Sequence, residues 1–249
     1  MTSPPGTGRR VFPDAGTLMR EAADLMVATL AGTRSRKRIV LAGGSTPRGL
    51  YAALAGRRPD WSGHRFTFGD ERCVPPDHPE SNYGTARAVL LDPLGIGGAQ
   101  VLRLEGERDP EHAAAKADRA LYSWTGRMPV FDLVLLGLGT DGHVASLFPA
   151  ESWPEFGSRR VAVTDHPEGG RRLTLTPSAL RSTGLTLFLV SGSKKADAVK
   201  AALQGGEPGP DRPATMVAGA GNRVLWLLDR EAASGLAGEP PAGPPVSGS

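Results

Sequence analysis

Short apolar runs alternate with segments of helical periodicity along most of this chain. The runs predict strands at 38–42, 65–70, 101–104, 131–139, 159–163, 171–176, 185–192 and 222–229. The periodic segments predict helices at 18–30, 47–55, 82–91, 109–124 and 193–204. Asp14 is a plausible cap for the first of these helices, and Asp109-Pro110 starts the fourth. Strands that alternate with helices form βαβ units, so the expected class is α/β, with a mostly parallel open sheet and helices on both faces. An antiparallel edge is expected near residues 159–176.

The length of 249 residues favours one α/β domain with a sizeable core. We expect that domain to span residues 11–236. Residues 1–10 are polar and rich in Pro and Gly, which predicts a flexible N-terminus. Residues 237–249, with the sequence AGEPPAGPPVSGS, cannot bury apolar surface, and we expect a disordered tail.

Composition and charge argue against several classes of partner. The 29 Lys and Arg residues oppose 26 Asp and Glu residues, and the densest basic cluster, Arg34–Arg38, is short, which argues against nucleic-acid binding. No apolar stretch approaches the length of a membrane-spanning helix, and the N-terminus lacks the apolar core of a signal peptide. The single cysteine, Cys73, forms no intrachain disulfide. Together these features predict a cytoplasmic protein without a membrane partner.

Polar and glycine-rich loops follow the predicted strands. Ligands of open parallel sheets bind at the carboxyl ends of the strands, so these loops are expected to share one rim of the sheet. The loops are GGSTP (43–47), GDER (69–72), GLGTDGH (137–143), the TPS stretch after residue 175, and SGSKK (191–195).

The GGST turn (Gly43, Gly44, Ser45 and Thr46) has the composition of a phosphate cradle. The glycines allow a sharp turn and close approach of a ligand, and Ser45 or Thr46 could cap the following helix. Free N–H groups at a helix N-terminus attract phosphate. The alternative is a capped turn without a ligand, and no Gly-Lys-Ser/Thr closes the turn as in a P-loop.

The stretch 68–84 is unusually polar for the end of a strand. Arg72 offers a planar fork of donors for a phosphate or a developing oxyanion, and Asp70 could bind substrate. The alternative is an internally bonded loop in which Asp70 and Arg72 pair with each other.

Residues 137–142 match G-x-G-x-x-G, but the match lies near mid-chain and lacks a suitable acid after the next strand. We therefore do not expect a nicotinamide cofactor. His143 is instead expected at a helix N-terminus, where the neutral imidazole is favoured and can act as a general base. Gly139 allows close approach of a substrate. Asp141 could orient His143, although a helix-capping role is favoured.

Basic residues near two other strands complete the candidate site. Lys194 and Lys195 occupy the first turn of the helix predicted after residue 192, where cations oppose the helix dipole. A phosphate between Lys195 and the GGST turn would explain that placement, as would a solvent-facing pair. One of Arg171 and Arg172 could also reach the ligand, and Arg172 is preferred. The five histidines form no short-spaced pair, so no metal site is expected.

Several segments occur in the order and spacing of one known family. They are GGSTP (43–47), DERCVPPDHPESNYG (70–84), LLGLGTDGHVASLFP (135–149), LTLT (173–176) and SGSKKADAV (191–199). From about residue 11 to 236 the chain resembles the 6-phosphogluconolactonase family, which is similar in fold to the glucosamine-6-phosphate deaminases. The resemblance implies a Rossmann-like sheet of the kind shared by deaminases, ribose-5-phosphate isomerases and CoA-transferases.

The resemblance also implies a reaction. His143 would activate water for attack on C1 of 6-phosphoglucono-1,5-lactone, without a cofactor. Arg72 and backbone N–H groups near Gly44 or Gly139 would stabilise the oxyanion. Gly44, Ser45, Thr46, Lys195 and Arg172 would hold the phosphate. We expect a monomer or a weak homodimer.

Two short differences favour the lactonase over the deaminase. Deaminases usually read DEY where this chain has Asp70-Glu71-Arg72, and they carry an FNEP-like stretch after DGH whose Glu assists ring opening. Here residues 146–149 read SLFP, so that acid is missing. The remaining alternatives are a deaminase, a non-catalytic sugar-phosphate sensor on the same fold and a dinucleotide enzyme.

Overall fold

A computed structural model describes residues 7–31, 36–126, 131–150, 153, 155–204, 207–218 and 223–236. The strands are β1 (Thr7–Phe12), β2 (Arg38–Leu41), β3 (Arg65–Phe68), β4 (Asp70–Arg72), β5 (Leu133–Leu136), β6 (Val161–Asp165), β7 (Arg171–Leu175), β8 (Leu185–Val190) and β9 (Arg223–Asp229). The helices are α1 (Ala15–Leu30), α2 (Ser45–Arg57), α3 (Asn82–Ala86), α4 (Pro110–Thr125), α5 (Pro177–Arg181), α6 (Ala196–Gln204) and α7 (Pro213–Ala218).

The main sheet has six strands in the order β1-β9-β8-β5-β2-β3, and each neighbouring pair is parallel. From β2 the chain first adds β3 on one side and later adds β5, β8 and β9 on the other. The strand order therefore reverses between β2 and β5. In open α/β sheets a crevice opens at this switch point, beyond the carboxyl ends of the strands.

The centre of the main sheet is covered on both faces, since every residue of β5 and β8 is buried. Such strands are the continuous apolar runs expected of a parallel sheet between two layers. Phe188 on β8 stacks on Trp226 of β9, with ring centroids 3.9 Å apart. The predicted α/β class is confirmed.

A second, three-stranded antiparallel sheet has the order β4-β7-β6. Residues 159–176 therefore do not form an antiparallel edge of the main sheet, as the sequence suggested, but belong to a sheet of their own. Gly69 joins the two sheets: its N–H donates to the carbonyl oxygen of Leu41 at 2.9 Å, and its own carbonyl accepts from the Leu175 N–H at 2.8 Å.

Two predicted helix starts are confirmed. Asp14 caps α1 by accepting the Thr17 N–H, and Asp109 caps α4 by accepting the His112 N–H, with Pro110 in the first turn. The predicted helix 82–91 is divided into α3 and a π-helical turn, Arg87–Leu91.

Two further predictions are wrong, one about the N-terminus and one about a strand. Residues 7–10 are not a flexible end, because Thr7–Phe12 pairs in parallel with β9, a contact that local composition does not reveal. Residues 101–104 form no strand. Val101 makes one bridge to Phe66, and the chain then turns so that a Cβ on Gly106 would lie 2.1 Å from the carbonyl oxygen of Arg72.

Residues 1–6 and the predicted tail, 237–249, lie outside the described residues. Within the described ranges, no helix combines the length and the apolar character needed to cross a bilayer.

Candidate active site

A cavity of about 250 Å³ opens at the switch point of the main sheet. Loops that follow four of its parallel strands line it. They contribute Gly43–Pro47 after β2, Asp70 and Arg72 after β3, Gly137–Thr140 and His143 after β5, and Ser191 and Lys195 after β8. The predicted convergence on one rim is therefore observed for four of the five loops. The TPS stretch (176–178) is absent from the described residues that line the cavity, because it follows β7 of the small sheet.

The GGST turn forms the start of α2 in a way that differs from the prediction. Gly44 occupies the N-cap position with φ of 99°, a left-handed conformation that favours glycine, and no side chain caps the helix. Ser45 and Thr46 are thus the first helical residues rather than caps. Their side chains and the first N–H groups of α2 border the cavity, which is the arrangement that binds anions at helix N-termini.

His143 does not lie at a helix N-terminus, because no helix follows Gly142. The carboxylate of Asp141 instead accepts the backbone N–H of His143 at 3.2 Å, which makes an Asx turn. Gly142 has φ of 90° and Ala145 has φ of 50°, and neither value is compatible with a right-handed helix. The dipole argument for a neutral imidazole therefore does not apply.

Asp141 is a partner of His143, and the expectation that it caps a helix is wrong. Its Oδ1 lies 2.7 Å from Nδ1 of the imidazole. Burial raises the pKa of the Asp141 carboxyl, but the His143 N–H and ring outweigh burial and hold that pKa below its usual value. A charged carboxylate at Nδ1 favours the tautomer with the proton on Nδ1, which leaves Nε2 as the acceptor.

Gly139 is required by this pair. A Cβ at Gly139 would lie 2.2 Å from His143 Nδ1 and 2.3 Å from Asp141 Oδ1. The Gly139 N–H donates to the carbonyl oxygen of His143 at 2.9 Å, so it is not free to serve as an oxyanion donor. The ring of Phe148 packs against the imidazole, with centroids 5.0 Å apart.

Asp70 and Arg72 do not pair as a closed loop, and both border the cavity. Asp70 accepts hydrogen bonds from the Ser146 hydroxyl at 2.6 Å and from the Asn82 amide at 3.2 Å. Arg72 donates through Nη1 to the carbonyl oxygen of Glu80 at 2.6 Å, which holds the guanidinium at the rim.

Glu71 anchors this segment from below. Its side chain is buried, and its carboxylate accepts from the N–H groups of Arg72, Asn82 and Tyr83, each at 2.8 Å, and from the Ser81 hydroxyl at 3.1 Å. Sequence reasoning assigned no role to Glu71, because three of its four contacts join it to residues ten to twelve positions away.

Lys195 lies in a 3-10 turn, Ser193–Lys195, and α6 begins one residue later at Ala196. Its side chain borders the cavity together with the GGST turn. Burial lowers the pKa of the Lys195 ammonium group, and the charge of Asp141 opposes this shift in part. Buried Asp229 fixes the turn by accepting the Ser191 hydroxyl at 2.6 Å and the Gly192 N–H at 3.0 Å. Sequence reasoning missed Asp229.

Arg172 is absent from the described residues that line the cavity. It lies opposite Arg72 in the β4–β7 pair, and its Nη1 donates to the carbonyl oxygen of Arg171 at 3.1 Å. Arg171 pairs with Glu111 at 2.8 Å. The structure thus does not bring either arginine into the wall where phosphate was expected.

The fold and the site define an α/β enzyme with a cavity at the topological switch point of its sheet, lined both by His143 of the Asp141–His143 pair and by the GGST turn. The chain belongs to the family described as glucosamine-6-phosphate isomerases/6-phosphogluconolactonase, whose sequence model matches residues 13–226. The resemblance found in the motifs is confirmed.

Individual relatives agree with this assignment. The chain is 38% identical over 243 residues to a 6-phosphogluconolactonase of Mycobacterium leprae, covering 92% of this chain and 98% of that protein. The solved structure of 6-phosphogluconolactonase from Trypanosoma brucei superposes with a TM-score of 0.81 at 29% identity, covering 95% of this chain and 100% of that one. A monomeric glucosamine-6-phosphate deaminase shares the fold, with a TM-score of 0.81 at 23% identity, covering 92% of this chain and 100% of that one.

Proposed function

We propose that the protein hydrolyses 6-phospho-D-glucono-1,5-lactone to 6-phospho-D-gluconate, a step of the oxidative pentose phosphate pathway. The observation that carries this proposal is that one cavity is lined by His143, whose Nδ1 is paired with Asp141, and also by the GGST turn and Lys195. The names of the similar proteins give the substrate.

In this proposal Nε2 of His143 takes a proton from a water molecule as its oxygen attacks C1 of the lactone. Asp141 holds the ring and stabilises the imidazolium that forms. Arg72 borders the cavity and stabilises the charge that grows on the carbonyl oxygen. The bond between C1 and the ring oxygen then breaks, and the imidazolium returns its proton to that oxygen. The acid formed ionises and releases one proton.

The phosphate would occupy the other end of the cavity. The N–H groups and hydroxyls of Ser45 and Thr46 offer donors at the start of α2, and Lys195 supplies a positive charge. Gly43 and Gly44 let the ligand approach the backbone closely. Asp70 would accept a hydrogen bond from a sugar hydroxyl. No cofactor takes part.

The test follows proton release from freshly generated lactone after subtraction of its spontaneous hydrolysis. We expect His143→Ala to lower kcat by about 10²–10⁴-fold, the usual contribution of a general base. Lys195→Ala should mainly raise KM. His112→Ala, an exposed histidine on α4, is the control and should match the wild type. Equal kcat losses in the first two variants with unchanged KM would contradict the assigned roles.

Three further outcomes separate the alternatives. Ammonia release from glucosamine 6-phosphate would identify a deaminase. Binding of 6-phosphogluconate without turnover of the lactone would identify a sensor, and binding of NAD or NADP would identify a dinucleotide enzyme. We further propose a cytoplasmic monomer or weak homodimer, which sedimentation at several protein concentrations would test.

A further inference from the structure

Ser146 joins the loop that carries His143 to all three strands of the small sheet. Its hydroxyl donates to Asp70 on β4 at 2.6 Å, its N–H donates to the Thr174 hydroxyl on β7 at 3.3 Å, and its carbonyl oxygen accepts from the Thr164 hydroxyl on β6 at 2.9 Å. Ser146 is 2% exposed, so these bonds are shielded from water. All three of its polar groups are thus committed to the small sheet.

The backbone next to Ser146 is held in an unfavourable conformation. Ala145 has φ of 50°, in the left-handed region that non-glycine residues rarely occupy. Such residues persist where the surroundings fix them, and they concentrate at functional sites. The bonds of Ser146, three positions after His143, provide that fixation, so the path between His143 and Ser146 is set by the small sheet.

The Ser146 hydroxyl also determines how Asp70 faces the cavity. A carboxylate can accept about four hydrogen bonds. Ser146 occupies Oδ2, while the Asn82 amide, itself held against Gly43, occupies Oδ1. Asp70, which borders the cavity, therefore keeps two free acceptor positions. Because each of its oxygens holds one hydrogen bond, the orientation of the carboxylate is fixed.

We propose that Ser146 is a positioning residue that sets the selectivity of this site for a hydroxylated lactone. Through its hydrogen bond it aims the free lone pairs of Asp70 at a hydroxyl of the substrate. A substrate that lacks this hydroxyl gains no binding energy from Asp70, because it leaves the carboxylate without a hydrogen-bond partner. The inference rests on the proposed lactone hydrolysis and adds to it a residue that touches no reacting atom.

A double-mutant cycle of Ser146→Ala and Asp70→Ala tests whether Ser146 acts through Asp70. We expect S146A alone to lower kcat/KM for 6-phosphogluconolactone about tenfold, the scale of a hydrogen bond to a charged group. In the D70A background, S146A should cause no further loss. An equal loss in both backgrounds would mean that Ser146 acts through folding, and the proposal would be overturned.

Substrate analogues give a second readout that a purely structural role would not move. Lactones made from the 2-, 3- and 4-deoxy forms of glucose 6-phosphate are assayed with the wild type and with S146A. The tenfold difference should vanish for the lactone that lacks the hydroxyl bound by Asp70, and it should persist for the others. The same loss with every lactone would refute the selectivity role.

Thr183→Ala serves as the matched control, because it removes another buried hydroxyl, bonded to the Leu185 carbonyl at the opposite end of the sheet. It should lower the midpoint of unfolding without changing the ratio of kcat/KM between one lactone and another.

If S146A unfolds at the assay temperature, Ser146→Cys replaces it, since the thiol fills the space but is a weak donor. A wild type inactive on the lactone would refute the proposed function, whereas an active wild type with an unaltered S146A would refute this inference alone.

Discussion

Nδ1 of His143 lies 2.7 Å from Oδ1 of Asp141, and the same carboxylate oxygen accepts the backbone N–H of His143 at 3.2 Å. One side chain therefore sets both the turn of the loop and the tautomer of the imidazole. The two contacts are linked in position, because the Asx turn that prevents a helix also brings the carboxylate oxygen to Nδ1 of the ring.

Replacing Asp141 with Asn tests the electrostatic part of this pairing. Asn removes the charge. With its amide oxygen in the place of Oδ1 it stabilises the imidazolium less, and with the amide reversed its NH₂ group faces Nδ1, which favours the wrong tautomer. We expect kcat for the lactone to fall about 10²-fold or more with little change in KM. Asp197→Asn, an exposed carboxylate on α6, should behave as the wild type. An unchanged kcat in D141N would exclude Asp141 from the mechanism.

The elements that sequence analysis placed correctly are those whose signals are local. Asp14 and Asp109 cap their helices, and the apolar runs of β5 and β8 become the buried centre of the sheet. Parallel topology then gathers the loops at one edge without any knowledge of distant contacts. The class of fold and most of the cavity wall follow from these features.

The errors arise where a distant or competing contact decides the structure. The pairing of β1 with β9 joins residues more than 200 positions apart in the chain. The helix expected after Gly142 does not form, because the Asp141 side chain accepts the backbone N–H of His143. The spacing of apolar residues contains no information about this competing hydrogen bond. Glu71 and Ser146 act through buried bonds to other segments, so their spacing in the sequence carries no signal.

Gly139→Ala should disrupt the catalytic pair by steric contact. The new methyl group would overlap both His143 Nδ1 and Asp141 Oδ1, which lie 2.2 and 2.3 Å from the position of a Cβ. Because a small misplacement of a catalytic group costs about 10²-fold in rate, we expect a loss of that order in kcat. Gly56→Ala, at a position in α2 with no atom within 4 Å of the added Cβ, should retain full activity. Matching rates for the two variants would show that the pair tolerates displacement.

The lowered pKa of Lys195 predicts a pH dependence of product binding. Burial disfavours the ammonium form, so Lys195 loses its charge at a lower pH than an ordinary lysine does. Affinity for 6-phosphogluconate should therefore weaken as the pH rises toward 10. Lys195→Arg keeps its charge throughout this range and should bind with a flatter dependence. Calorimetric titration between pH 7 and 10 measures both proteins, and parallel curves would contradict the assignment.

Glu71→Gln should destabilise the fold although the two side chains have the same shape. The carboxylate accepts hydrogen bonds from four donors, two at each oxygen. The amide oxygen of Gln can accept from only one of these pairs, and its NH₂ group would face the two donors of the other pair. Buried donors left without acceptors make the expected loss about 2–3 kcal/mol in the free energy of unfolding. Urea unfolding measures this loss, with Glu168→Gln on the surface as control. A difference below about 0.5 kcal/mol, the usual scale for surface substitutions, would mean that Glu71 does not anchor the segment.

The same carboxyl predicts how wild-type stability changes with pH. Burial raises the pKa of Glu71, although the N–H groups of Tyr83, Asn82 and Arg72 oppose this shift. Between the ordinary glutamate pKa of about 4.3 and the higher folded value, the folded state retains a proton that the unfolded chain has lost. The contribution of Glu71 is therefore fully present below this window and is lost as pH rises through it. Urea unfolding of wild type and E71Q from pH 4 upward should show their stability difference shrinking as pH rises through the window, and a constant difference would contradict the shift.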